Sequence, residues 1–292
     1  MLCLCAETGR SLKHVVISGV STGIGFGLAQ ELCRQGYRVF GTIRDASLET
    51  RLREQLGERF VPLLLDVTDR AAIDRAAETV ARETGGAGLF GLVNNAGISD
   101  PGPLANISPD IVRKHLEVNV MGVFNMTQAF LPLLRKSDAG RPGRVVNISS
   151  VSGKIAYPFM GAYAASKFAL EAMSDSWRRE LLVYGVDVIV IEPGSIDTPI
   201  WDKANHIRTS FGDTDYAPLF QYVDLVKDNR RNAQPVSRVA DRVIKGLTAA
   251  KPKTRYALPD KWLLYWILPR LLPDRLLDRI IYKVLAMNRV KV

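Results

Sequence analysis

The chain has 292 residues, a formal charge of +9, and apolar side chains at 47% of its positions, enough for one sizeable core. Three cysteines exclude a disulfide framework, and His14, His115 and His206 have no ligand spacing, so no metal is expected. No recognition module accompanies the positive charge, which argues against a nucleic-acid partner.

Cys3 and Cys5 fall in an N-terminal arm that reads chiefly as disordered, with acylation or metal binding as alternatives. Met1 to Cys5 lacks the long apolar segment of a signal peptide, so a reducing cytoplasm is the default location. The run His14-Val15-Val16-Ile17-Ser18-Gly19 is apolar and ends in small residues, a buried-strand signal. It leads into Gly19-Val20-Ser21-Thr22-Gly23-Ile24-Gly25, and helical periodicity follows from Phe26 to Arg34, with Cys33 as a small core residue. Strand, glycine turn and helix in that order point to a dinucleotide site, the alternative being a glycine-rich turn with no ligand. The glycines let the backbone approach a pyrophosphate, whose charge is met by amides at the helix N-terminus. The spacing is G-x-x-x-G-x-G, not the commoner G-x-G-x-x-G.

A second strand, Arg38–Ile43, ends at Arg44-Asp45. A carboxylate at this distance from the glycines suits the ribose 2′-hydroxyl of NAD, which Asp45 could meet, whereas the guanidinium of Arg44 suits the 2′-phosphate of NADP. Ile43 at the strand tip is neutral and repels no phosphate, so NADP(H) is favoured and NAD(H) stays open. Further strand signals lie at residues 61–65, 89–93, 144–148 and 186–191, each separated by enough chain for a helical crossover. The sheet should therefore be parallel and doubly wound, an α/β Rossmann-like fold with helices on both faces. One domain over residues 13–250 is expected. Residues 110–134 read as one long core helix.

Within residues 145–170, Tyr163-x-x-x-Lys167 follows Ser150 by thirteen positions. Residues four apart share a helix face, so the Lys167 ammonium can sit below the Tyr163 phenol. A cation there favours the phenolate, which suits proton exchange with a substrate oxygen, and Ser150 can donate to the same oxygen. The chemistry suggested is alcohol–carbonyl interconversion. Tyr157 shows the filter at work, because Gly161 stands four residues on and supplies no cation. Residues 197–234 hold Trp201, His206, Phe211, Tyr216, Phe220 and Tyr222 without sustained periodicity. With Tyr157, Pro158 and Phe159 they suggest an apolar pocket, or else a loop packed on its own domain.

The last forty-two residues, 251–292, carry ten Lys or Arg and three Asp, a net +7 of the total +9. Residues 262–268 form an apolar run ended by Pro269, much too short to span a bilayer. From Arg275 to Met287, Leu276, Leu277, Ile280, Ile281, Val284 and Leu285 share one helical face, flanked by Arg275, Arg279 and Lys283. Such a basic amphipathic extension can lie at an anionic membrane surface, or pack on its own domain or a partner subunit.

These motifs together resemble those of the short-chain dehydrogenase/reductase family, closest to its hydroxysteroid and retinol dehydrogenase members around Arg38 to Asp45. Ser18-Gly19-x-x-x-Gly23-Ile24-Gly25 resembles the family's Thr-Gly-x-x-x-Gly-x-Gly, with Ser18 keeping the hydroxyl. Leu65-Asp66-Val67, Asn94-Asn95-Ala96-Gly97, Asn119 in Glu117-Val118-Asn119-Val120, the Ser150, Tyr163 and Lys167 set, and Pro193-Gly194 follow in the family's order. The resemblance implies about seven strands and a catalytic tetrad of Asn119, Ser150, Tyr163 and Lys167. Tyr163 would be the acid in reduction and the base in oxidation. Lys167 would lower the Tyr163 pKa and hold the nicotinamide ribose, and Asn119 would support a water that relays protons to Lys167. Asp66, beside Val67, would contact the adenine, and Asn94, with Ala96 and Gly97, would line the adenine–ribose side. Ile196 and Thr198, past Pro193 and Gly194, would meet the nicotinamide half. A homodimer or homotetramer is implied, as is an apolar alcohol or ketone substrate. The rival is a protein that senses or scaffolds NADP without turnover, which would have no need of all four tetrad residues.

Overall fold

The computed structural model describes residues 12–137, 140–200, 206–222, 233–285 and 287. Cys3, Cys5 and Trp201 lie outside them. Seven strands form one parallel sheet: β1 His14–Ile17, β2 Arg38–Ile43, β3 Phe60–Leu64, β4 Gly91–Asn94, β5 Arg144–Ile148, β6 Val188–Pro193 and β7 Arg255–Leu258. Their order is β3-β2-β1-β4-β5-β6-β7, with Val16 opposite Phe40 on one side and Leu92 on the other. The order reverses between β1 and β4, and in such sheets ligands bind beyond the strand ends at that reversal.

Alternate residues of β1 serve different cores, which is why its sequence is apolar throughout. Val15 and Ile17 pack with Leu28 and Leu32 of α1 (Gly23–Arg34) and with Val239, Val243 and Leu247 of a later helix, Val236–Thr248. Val16 packs on the opposite face with Ile73 and Val80 of Arg70–Glu83 and with Met126 and Phe130 of Gly122–Leu134. Local chemistry starts these helices. Asp69 accepts from the Ala72 amide, and Ser108 accepts from the Asp110 amide with Pro109 in the first turn.

The long helix expected at residues 110–134 is present but interrupted. Pro109–Leu116 passes through a π turn, Glu117–Met121, into Gly122–Leu134. Of the stretch at 197–234, the described residues include helices at His206–Phe211 and Ala217–Tyr222, and a bridge pairs Ile196 with Gln234. The helical path runs on past Pro269, where the apolar run ends: a π turn at Leu263–Ile267 continues into Leu268–Leu271. The amphipathic segment is helical over Asp274–Val284.

Candidate active site

The glycine turn is locked to the loop after β4. The Ser18 hydroxyl accepts from the amides of Asn95 and Ala96 at 2.9 and 3.0 Å, and Asn95 donates from Nδ2 to the carbonyls of Ser18 and Gly19. The Gly19 amide donates to Thr42 Oγ1 at the same junction. Space is so tight that a Cβ on Gly25 would stand 2.1 Å from the Gly19 carbonyl oxygen, and one on Gly19 would stand 3.0 Å from Ala96 Cα. Gly19 and Gly23 take φ of +73° and +60°, which favours glycine. Thr198 lies over the turn, 3.3 Å from where a Gly23 Cβ would be. Thr22 precedes α1 but its side chain makes no capping bond, so the first amides of α1 are left for another acceptor. Ser21 and Ile24 flank them, half-buried. A backbone cradle, free helix amides and a lid residue fit a dinucleotide pyrophosphate.

At the ends of β2 and β3, Arg44 is exposed and lies 3.7 Å from Asp66. Burial raises the Asp66 pKa, but hydrogen bonds from Thr68 and the Arg44 charge outweigh it and hold the carboxyl below its usual range. Asp45 turns elsewhere: its Oδ1 accepts from the Ser47 amide and caps a short helix, Ala46–Leu48. Val67 is buried against the start of Gly122–Leu134. Asn94 is also directed inward, donating to Thr127 Oγ1 and Asn147 Oδ1. Asn95 is the residue that meets the glycine turn.

Three elements carry the four residues. Ser150 follows β5 and caps a short turn, its hydroxyl accepting from the Ser152 amide and facing the Pro193 carbonyl at 3.5 Å. Tyr163 and Lys167 occupy successive turns of Gly161–Glu180, with the Lys167 Nζ 5.7 Å from the Tyr163 ring centre. Asn119 sits at the middle of the π turn, a feature frequent at functional sites. It accepts from the Ile98 amide and donates to the Ile98 carbonyl and to Ser166 Oγ, which in turn donates to the Tyr163 carbonyl. A Cβ on Gly97 would stand 3.2 Å from Asn119 Oδ1 and 3.8 Å from Lys167 Nζ, so all three face one space.

Burial pushes the Tyr163 phenol up, and a hydrogen bond with Ser150 works against that rise. Burial brings the Lys167 ammonium down to about 8, while the Glu171 carboxylate one turn below favours its charge. Lys167 donates to the Ile148 carbonyl at 2.8 Å, leaving further N–H donors for ligand hydroxyls. Tyr163 also meets the edge of the buried His115 ring, whose Nε2 accepts from the Asp100 amide.

Beneath Lys167 lies a charged group that motif reading missed. Glu171 pairs with Lys154 at 2.9 Å and with Arg255 of β7 at 3.0 Å. Arg255 approaches Glu192 at 3.6 Å, too long for a hydrogen bond. Burial and the like charge of Glu171 push Glu192 up to about 7. The one sequence signal was spacing, since Glu171 is four residues past Lys167 and Glu192 adjoins Pro193-Gly194. Among the described residues no group of three or more His, Cys, Asp or Glu could hold a metal.

A parallel sheet with a glycine cradle at its reversal point, and a Ser-Tyr-Lys group beside it, define a dinucleotide-dependent oxidoreductase. The sequence profile of the family described as short chain dehydrogenase matches residues 13–208, and the chain belongs to that family. It is 39% identical to an NADPH-dependent 3-dehydrocapnine reductase of Ornithobacterium rhinotracheale, over 87% of this chain and 90% of that one. It is 37% identical to retinol dehydrogenase 16 of Mus musculus, over 84% of this chain and 80% of the relative. The fold is similar to a short-chain dehydrogenase from Streptomyces avermitilis, with a TM-score of 0.74, 25% identity, and 96% and 99% of the two chains covered.

Proposed function

We propose that the protein interconverts an apolar secondary alcohol and its ketone, with NADP(H) as the preferred dinucleotide and Tyr163 as the acid and base. The meeting of Asn119 and Lys167 beside Gly97, with Lys167 against the Tyr163 ring and the Tyr163 phenol at Ser150, carries this reading. Gly19, Gly23, Gly25, the α1 amides and Thr198 hold the pyrophosphate, and Lys167 holds the nicotinamide ribose. The nicotinamide, when bound, supplies or accepts the hydride. In reduction Tyr163 gives its phenolic proton to the carbonyl oxygen, which Ser150 polarises by a hydrogen bond. The raised phenol pKa keeps that proton in place at neutral pH until the substrate oxygen takes on negative charge. Asn119 holds the loop at Ile98 and, through Ser166, the backbone of Tyr163, fixing the acid against the substrate.

Arg44 supports NADP(H), since it is exposed just past the tip of β2, 3.7 Å from Asp66, while Asp45 is engaged by Ser47. The bacterial relative's name supports the same dinucleotide. Parallel calorimetric titrations test it: NADPH is expected to bind at least ~10-fold tighter than NADH, about 1.4 kcal/mol. Arg44→Ala should erase most of that gap, and equal binding of the two by the unaltered protein would overturn the assignment. The mouse relative's name, a retinol dehydrogenase, supports an apolar alcohol, as do the aromatic residues along 206–222.

The C-terminal extension fits contact with an anionic lipid surface. Leu277 and Ile281 are half-buried, but Leu276, Ile280 and Val284 on the adjacent face are 44, 41 and 66% exposed, beside Arg275, Arg279 and Lys283. No helix among the described residues is long and apolar enough to cross a membrane. The full chain should co-sediment with phosphatidylserine vesicles and release in high salt. A chain ending at Lys261 should stay in solution, and an unchanged bound fraction for it would remove the extension from this role.

A further inference from the structure

The segment joining Ser150 to Tyr163 contains the only non-glycine residue with positive φ among the described residues. Phe159 sits at +68°. Bulky side chains avoid this region, so the surrounding structure must hold it there. Two groups of contacts do so. The Phe159 carbonyl accepts from the Gly102 amide at 2.8 Å, tying the segment to the loop that follows Asn94-Asn95-Ala96-Gly97. Its ring meets Tyr216 edge-on at 5.9 Å and Phe220 at 5.6 Å, within a cluster that also holds Ile207, Phe211 and Ala217. Phe220 is buried, and its carbonyl accepts from Arg208. The Phe211 ring closes over Gly102, where a Cβ would stand 2.9 Å from it. The left-handed turn at Phe159 thus accompanies a ring that meets the helical segment 206–222, while the next residue but one, Gly161, opens the catalytic helix.

We propose that Phe159 is a specificity-determining residue. Its ring anchors segment 206–222 over the substrate side of the Ser150–Tyr163 site, so that the site favours a substrate with an extended apolar body over a small one. The proposal deepens the alcohol–ketone reading and rests on it. A short substrate reaches Ser150 and Tyr163 without touching the roof, whereas a long one packs beneath it. Phe159 therefore acts on the binding of the apolar body and not on the proton transfer.

Glycine adopts φ near +68° freely, so Phe159→Gly removes the ring while permitting the backbone path. Phe159→Tyr keeps the ring. With NADPH, Phe159→Gly should raise KM for 2-dodecanone at least ~10-fold, a difference of about 1.4 kcal/mol in binding. Its kcat/KM for 2-butanone should stay close to that of the unaltered protein, and Phe159→Tyr should restore the preference for the longer ketone. Equal losses on both ketones, or no loss on either, would overturn the proposal. Limited trypsin digestion gives a readout independent of turnover: cleavage after Arg208 should accelerate in Phe159→Gly and not in Phe159→Tyr. Unchanged protection refutes the anchor even if the ketones are reduced. Faster cleavage in a protein that reduces neither ketone would keep the anchor, discard the alcohol–ketone reading, and with it the specificity role.

Discussion

Replacing Tyr163 with Phe is expected to abolish turnover while leaving the protein folded and able to bind NADPH. The change removes one oxygen from a ring whose other contacts persist, including the edge-on approach of His115 and the backbone bonds of Gly161–Glu180. Ser150 loses its Tyr163 partner but keeps the bond from the Ser152 amide. Neither remaining polar neighbour takes the phenol's place: Lys167 donates to the Ile148 carbonyl, against the ring, and Asn119 is engaged by Ile98 and Ser166. Positioned acid–base catalysis contributes roughly 100- to 10,000-fold, so kcat should fall by about three orders of magnitude. Thermal melting and NADPH titration of the same sample should match the unaltered protein. Turnover above about a tenth of normal would take the proton transfer away from Tyr163.

Gly25→Ala should have the other large effect, on the dinucleotide and not on chemistry. The added methyl would sit 2.1 Å from the Gly19 carbonyl oxygen and 2.5 Å from Asn95 Nδ2. Neither neighbour can retreat alone, because Asn95 donates to that same carbonyl and Ser18 holds the adjoining amides. The turn must open, and the cradle and the first amides of α1 lose their common focus. NADPH binding should weaken by ~100-fold or more, about 2.8 kcal/mol. A dissociation constant within about threefold of normal, measured by calorimetry, would show that the turn does not cradle the phosphates.

What was legible in the sequence was what depends on neighbours in the chain. The glycine turn requires three glycines at fixed spacing, and Tyr163 and Lys167 share a face because four residues make about one helical turn. Six strands could be read from apolar runs. Their ends were less readable: the signal at 186–191 starts as a strand only at Val188, since the Val186 amide is taken by Leu181. Likewise β4 begins at Gly91, with the Leu89 amide bonded to Leu133. Distant partners could not be foreseen. Asn94 turns inward because Thr127 and Asn147, 33 and 53 residues away, meet it there. The π turn at Asn119 and the left-handed Phe159 have no local signature, since packing imposes both. The seventh strand, Arg-Tyr-Ala-Leu, is four residues long and lies in the basic extension, where charge hid its alternation.

That late strand bears on how the chain reaches its native state. Arg255 meets Glu171 across 84 residues of sequence, and β7 covers the open edge of β6. Contacts so far apart in sequence close slowly. Until they do, β6 presents unpaired backbone groups, and Glu171 and Glu192 lack the guanidinium they share. The earlier strands can assemble first, leaving a nearly complete sheet whose helix Gly161–Glu180 is not yet electrostatically balanced. Such an intermediate exposes a strand edge to other chains, so aggregation during refolding competes most at the step that docks residues 255–258.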